Sequence, residues 1–163
     1  MNKQQVKTII KLLKSKELST RPSLQQVFEQ NNHLWATNGY IAFDICEIKD
    51  DCKNKCITLD NLIKWNATHN KSTDIIDNDI LTDNEESSPV MSKLVEGEYK
   101  PCNDFKINLD LLKLGCEFLG CKSISLEESC KKEKLYRLKP LVEDEIPIVI
   151  RALESKVYIM GLN

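Results

Sequence analysis

The sequence predicts a protein of the α+β class, and three observations carry this prediction. Aliphatic residues recur at helical spacing near the N-terminus. The stretch 33–45 is rich in aromatic and β-branched residues, which favour strands. A helix followed by strands is then predicted a second time in the last third of the chain. At 163 residues the chain fits one compact domain that is long enough to bury a hydrophobic core.

The first predicted helix covers residues 2–16. Its aliphatic side chains fall on one side of a helix with 3.6 residues per turn: Val6, Ile9, Ile10 and Leu13. Four lysines gather on another side, within about a quarter of the circumference: Lys3, Lys7, Lys11 and Lys14. Such a row of ammonium groups can hold phosphates without reading bases, and the alternative is an ordinary solvated helix face.

Three antiparallel strands are predicted after this helix. Pro22 ends the helical region, and strand-forming residues lie on both sides of a turn at 30–32. Within the run 33–45, the pair Asn38 and Gly39 is the strongest short hairpin signal, because both residues tolerate the positive φ of a type I′ turn. A hairpin with this turn is therefore expected.

The middle of the chain, at about 50–100, is predicted to be an acidic insertion. Thr58 is a suitable cap for a short helix, whereas 74–89 has the composition of a loop or marginal hairpin. The segment 74–98 carries eight acidic residues and one basic residue, while the rest of the chain carries 22 basic and 17 acidic residues. One face can thus attract a polyanion while another repels it, unless the segment is simply a solvated acidic loop.

The last third is predicted to begin with a strand at 105–107. Asn108 is a plausible N-cap for a second long helix, and Gly120 lies where that helix should end. Further strands are predicted at 123–126, 135–141, 146–153 and 156–160, with turns at 127–133 and 143–145. The order of helix and strands in the first third is therefore repeated.

Several classes of protein are not expected. No run approaches the roughly 20 apolar residues that span a bilayer, and no signal peptide precedes the first helix, so a cytoplasmic protein is expected. Seven cysteines without a CxxC pair favour reduced thiols over disulfides. Cys52 and Cys56 with His33 or His69 lack zinc-finger spacing, so neither a metal nor a cofactor is predicted. His33 is expected on the surface of a strand rather than in a catalytic site.

Short strings in a fixed order are similar to one known family. Arg21-Pro22, with Leu24 and Val27, is similar to R-P-x-L-x-x-V, and LWATNGYIA at 34–42 is similar to L-x-A-T-D-G-H-R-L. Residues 96–101 resemble E-G-x-Y-P-D-Y. Residues 105–112 are similar to f-x-f-N-x-x-x-L, and residues 139–141 read K-P-L, as in the family. Residues 157–162 are similar to v-v-x-M-P-x-R-L. The family is the bacterial sliding clamp, the ring-forming β subunit of the replicative DNA polymerase, with its shorter phage-type relatives.

The resemblance implies a DNA-clamp-like domain with two pseudo-symmetric halves. Each half would place a helix on the DNA-facing surface and an antiparallel sheet outside. Duplex DNA would then meet the basic side chains Lys3, Lys7, Lys11, Lys14 and Arg21. The second helix instead carries Asp110, Lys113 and Glu117, a net charge of one negative unit. A clamp ring contains six such domains, so a chain with one domain would need to form a homo-oligomer to close a ring.

Two functions are consistent with this resemblance. The first is a DNA-replication accessory protein that binds duplex DNA non-specifically, replication proteins, or both. The alternative is a protein-interaction module that does not bind DNA and competes with or inhibits replication factors. An enzyme is not expected, since the sequence has no glycine-rich phosphate loop, paired catalytic carboxylates or nucleophile elbow.

Overall fold

The computed structural model describes residues 1–48, 52–71, 74–76, 78–141 and 155–162. In this part of the chain it is a mixed α+β fold, as predicted. The helices are α1 (Lys3–Leu13), α2 (Leu59–Thr68), the short α3 (Ser92–Val95) and α4 (Leu109–Leu119). The strands are β1 (Gln26–Gln30), β2 (His33–Thr37), β3 (Ile41–Glu47), β4 (Lys55–Thr58), β5 (Thr82–Asp83), β6 (Tyr99–Pro101), β7 (Ile124–Ser129), β8 (Leu135–Pro140) and β9 (Lys156–Met160).

All of the described strands belong to one antiparallel sheet, in the order β5-β4-β1-β2-β3-β9-β8-β7-β6. The centre of the sheet is the pairing of β3 with β9, where Ile41 lies opposite Ile159 and Phe43 lies opposite Val157. The strands β1, β2 and β3 form an antiparallel run on one side of this pairing, and β9, β8 and β7 form another on the other side. Helix α1 precedes the first run in the chain, and α4 precedes the second.

The helices α1, α2 and α4 cover one face of the sheet, here called the inner face. Because strand side chains alternate, Leu34 and Ala36 point to this face and Trp35 points to the other. The buried inner core includes Val6, Ile9, Leu13, Phe43, Phe118 and Val157. Helix α4 approaches the sheet closely at Gly115, where an added Cβ would lie 2.7 Å from Leu138 Cδ2.

The opposite, outer face of the sheet carries a second apolar cluster, which includes Phe28, Ala42, Leu135 and Tyr158. Residues 89–95 lie over this cluster, with Met91 buried in it. The Met91 backbone N–H donates to Gln30 Oε1, and Tyr99 Oη donates to Leu94 O at 2.7 Å. Part of the segment predicted as an insertion therefore contributes to the packing of the sheet.

The predicted helix ends at Thr58, Asn108 and Gly120 are confirmed. Thr58 Oγ1 accepts a hydrogen bond from Asn61 N at 3.3 Å, and Asn108 Oδ1 accepts one from Asp110 N at 2.8 Å. Gly120 adopts the left-handed conformation, with φ of 68°, that commonly ends a helix.

The prediction of a type I′ turn at Asn38 and Gly39 is wrong. Gly39 has a positive φ of 92°, but Asn38 does not. The Asn38 side chain instead accepts hydrogen bonds from the backbone N–H groups of Tyr40 and Ile41. The loop with two positive φ angles, as a type I′ turn requires, is Asn31 and Asn32 between β1 and β2, with φ of 53° and 63°. The side-chain hydrogen bonds of Asn38 explain the difference, because they fix the hairpin without a left-handed asparagine.

Two further predictions in the last third differ from the structure. Residues 105–107 do not form a strand, although Lys106 O accepts a backbone hydrogen bond from Leu162 N. The strand in this region is β6, which lies earlier in the chain. The predicted turn at 127–133 begins later, because β7 continues to Ser129 and is paired with β8 as far as Glu128. The strand predicted at 146–153 and the turn at 143–145 lie outside the described residues.

Candidate functional site

The four lysines of α1 are not equivalent. Lys3 is 7% exposed, and its Nζ donates to Asn66 O at 2.9 Å near the C-terminal end of α2. A cation is favoured there, because the last carbonyl groups of a helix carry partial negative charge. Lys3 therefore ties α1 to α2 and is withdrawn from the surface.

Lys11 is exposed but is engaged by the neighbouring helix. Its Nζ lies 2.6 Å from Oε2 of Glu117 in α4. The remaining two lysines of α1, Lys7 and Lys14, are exposed and pair with no carboxylate in the part of the chain that the structure describes. We call the exposed side of α1 and α4 the helical face, and Lys113 adds one more exposed lysine to it.

Arg21 lies away from the helical face. It is exposed, and a Cβ added to Gly39 would lie 3.5 Å from Arg21 Nη1, so its guanidinium rests against the turn between β2 and β3. The structure thus brings Lys7 and Lys14 onto one helix and places Arg21 beside an apolar groove at the outer face.

This groove lies between the β2–β3 turn and residues 89–94 and has a volume of about 230 Å³. Its floor is apolar, from Leu135, Tyr158 and Met160, and its walls include Tyr40 and Val90. Two cations, Arg21 and Lys132, also line it. The composition suits an apolar segment of a partner with an acidic group next to it.

Sequence reasoning did not find the groove, because its lining comes from segments that are distant in the chain. The signal in the structure is exposure, since Tyr40 is 58% exposed and Val90 is 65% exposed. Large apolar side chains exposed around a concave surface often mark a binding site.

A histidine–aspartate pair also lies on the outer face. His33 Nδ1 lies 2.8 Å from Asp44 Oδ1, and the Asp44 side chain is only 1% exposed. Burial raises the pKa of Asp44, while the hydrogen bond with His33 acts in the opposite direction. His33 is partly exposed on a strand, as predicted, but its carboxylate partner was missed because the pairing depends on a register shift between β2 and β3.

Metal-binding side chains do not converge in the described residues, where no group of three or more His, Cys, Asp or Glu is close enough to hold an ion. Cys56, a ligand candidate in the sequence, instead has its Sγ 3.4 Å from Thr82 Oγ1. No helix in the described ranges has the length and apolar character that crossing a membrane requires.

Comparison of the chain with protein-family models, curated proteins and solved structures gives no match.

Proposed function

We propose that this chain is a sliding-clamp-like accessory protein of DNA replication. The observation that carries the proposal is the order of its elements. In the residues that the structure describes, a helix followed by three antiparallel strands occurs twice, and the last strands of the two sets pair at the centre of the sheet. The helices that precede the two sets, α1 and α4, contact each other on the inner face. This order supports two pseudo-symmetric halves with a shared helical surface, as in a clamp domain.

On the helical face, Lys7 and Lys14 are the proposed contacts to DNA. They lie seven residues apart, Lys7 within α1 and Lys14 at its C-cap, which corresponds to roughly 10 Å along the helix axis. Two lysines can neutralise two backbone phosphates, so binding should be weak, independent of sequence and dependent on salt, with a slope of about −1.8 in log affinity against log salt.

A titration with labelled duplex DNA at two salt concentrations tests this contact. The double variant Lys7→Glu with Lys14→Glu should lose salt-dependent binding. A matched control changes Lys100 and Lys131, which are exposed elsewhere, to glutamate, so that net charge changes equally. Equal loss in the two double variants, or no loss in the first, would count against the helical face as the DNA contact.

The groove supplies the second part of the proposed function, the binding of replication proteins. An apolar floor with Arg21 and Lys132 nearby favours a short extended segment that carries apolar side chains and an acidic residue. A displayed library of short peptides can be selected against the protein. Tyr40→Asp and Val90→Asp should abolish capture of the selected peptides, while Leu109→Asp, at a side chain 76% exposed on α4, should not. Equal capture by all three variants would contradict a role for the groove.

One set of observations favours the alternative, a protein-interaction module that does not bind DNA. Lys3 is buried and Lys11 is paired, so that half of the lysines on α1 are engaged within the protein. Helix α4 adds exposed Asp110 and Leu109 to the helical face. Retained peptide capture with no salt-dependent duplex binding would identify this function. Light scattering with and without duplex DNA would show whether the chain forms the homo-oligomer that encirclement requires.

A further inference from the structure

Two cysteines meet at the end of α4. The helix ends at Gly120 in the left-handed conformation, and Cys121 N donates a hydrogen bond to Cys116 O at 3.2 Å. In this type of helix ending, the side chains at these two positions commonly contact each other. This contact is usually between apolar residues, whereas here both positions hold cysteines.

Both side chains pack against the inner core, and each thiol lies close enough to the other to affect its pKa. Burial raises the pKa of both thiols, that of Cys121 to about 11. The surroundings thus disfavour a charged thiolate relative to a neutral thiol or disulfide. Both residues are nevertheless partly exposed, so a small reagent can reach them.

We propose that Cys116 and Cys121 form a redox modification site, a dithiol that a low-molecular-weight disulfide converts into an intramolecular disulfide at the C-terminal end of α4. In the first step one cysteine, after losing its proton, attacks a sulfur of the reagent disulfide, forms a mixed disulfide and releases one reagent thiolate. In the second step the other cysteine, also deprotonated, attacks the protein sulfur of the mixed disulfide and releases the second reagent thiolate. The released thiolates take up the two protons, so that the protein is oxidised by two electrons and the reagent is reduced to two thiols.

The backbone geometry suits this reaction. A disulfide requires Cα atoms separated by roughly 4.4–6.8 Å, and the hydrogen bond between Cys121 N and Cys116 O already holds the two backbones together. The second step is intramolecular, so it does not depend on a collision with another molecule. The product is neutral, which fits a site where burial disfavours charge.

The test uses the full chain and oxidised glutathione at mildly alkaline pH, with intact mass and non-reducing peptide mapping as readouts. In the wild-type chain, Cys116 and Cys121 should lose their two thiol hydrogens, appear in one linked peptide and carry no glutathione. Cys130 is exposed and should carry glutathione, which shows that the reagent is active. In Cys121→Ser the second step is impossible, so glutathione should remain on Cys116.

Two results would overturn the proposal. The first is that Cys116 of the wild-type chain carries glutathione to the same extent as Cys116 of Cys121→Ser. The second is free thiols at Cys116 and Cys121 while Cys130 is fully modified. The second result is read from the wild-type chain alone, so the proposal can be overturned even if the serine variant folds poorly. Circular dichroism of each sample confirms that the reaction occurred in folded protein.

Discussion

Phe43 in β3 and Phe118 in α4 stack face to face, with ring centroids 4.2 Å apart and ring planes 3° from parallel. Both side chains are buried in the inner core. Phe43 belongs to the first set of three strands, whereas α4 precedes the second set. The stack therefore links the two parts of the sheet from the side of the helices, in addition to the backbone pairing of β3 with β9.

Replacement of Phe118 by alanine should lower the free energy of unfolding by about 3–5 kcal/mol, because it removes this stack and leaves a cavity. Leu109→Ala on the same helix is the matched control, since Leu109 is 76% exposed and should change stability by no more than about 0.5 kcal/mol. Denaturant unfolding followed by circular dichroism measures both. Similar losses in the two variants would mean that the stack adds little.

Gly115→Ala should also destabilise the protein, although alanine favours a helix over glycine by about 1 kcal/mol. The new methyl group would lie 2.7 Å from Leu138 Cδ2 and 3.1 Å from Val157 Cγ1, and overpacking of this kind costs about 1–3 kcal/mol. When Leu138 is also replaced by alanine, Gly115→Ala should cost less stability, because Leu138 Cδ2, the atom nearest to the new methyl group, is absent. A double-mutant cycle measures this coupling, and strictly additive effects would argue against the clash.

Asp44→Asn should raise the free energy of unfolding at alkaline pH. Burial raises the pKa of Asp44, because the folded protein disfavours the ionised side chain. The protonated side chain therefore contributes to the free energy of unfolding at low pH. This contribution is lost as pH rises through the pKa of Asp44 in the folded protein. Asparagine removes that charge, and the gain should shrink as pH falls toward the ordinary carboxyl value of about 3.9. Unfolding measured across this range tests the prediction, with Glu85→Gln as a control substitution at an exposed carboxylate. If the stability gained by Asp44→Asn grew as pH fell, the prediction would be wrong.

Glu117→Gln should strengthen duplex binding if the helical face contacts DNA. The change frees Lys11 from its ion pair and removes one negative charge. One additional phosphate contact steepens the salt dependence by about 0.9 in log–log slope. Stability should change by no more than about 1 kcal/mol, because both partners are partly solvated. In the double variant with Lys11→Met the extra slope should vanish, and a slope that persists there would assign the effect to another lysine.

The long elements were predictable because each rests on a local rule. The spacing of Val6, Ile9 and Leu13 indicates α1, and the side chain of Asn108 caps α4 as its position suggests. Lys3 shows where such rules fail. Its helical position groups it with three exposed lysines, but its burial depends on α2, which packs beside it from a distant part of the chain.

The candidate site was less predictable than the elements. The groove joins Arg21, the β2–β3 turn, residues 89–94 and Met160, and no spacing in the sequence indicates that these meet. Helical geometry groups the four lysines near the N-terminus, but the burial of Lys3 and the ion pair of Lys11 with Glu117 depend on how α1 packs against α2 and α4. Local sequence patterns do not contain such contacts between elements.

The two outermost strands of the described sheet are very short, two residues in β5 and three in β6. The last residue of β6 is Pro101, which has no backbone N–H to donate, and Lys100 and Asp83 put charges on the two margins. Each margin thus offers few hydrogen-bonding groups to a strand of another molecule. Short, charged edges of this kind disfavour sheet extension and fibril growth.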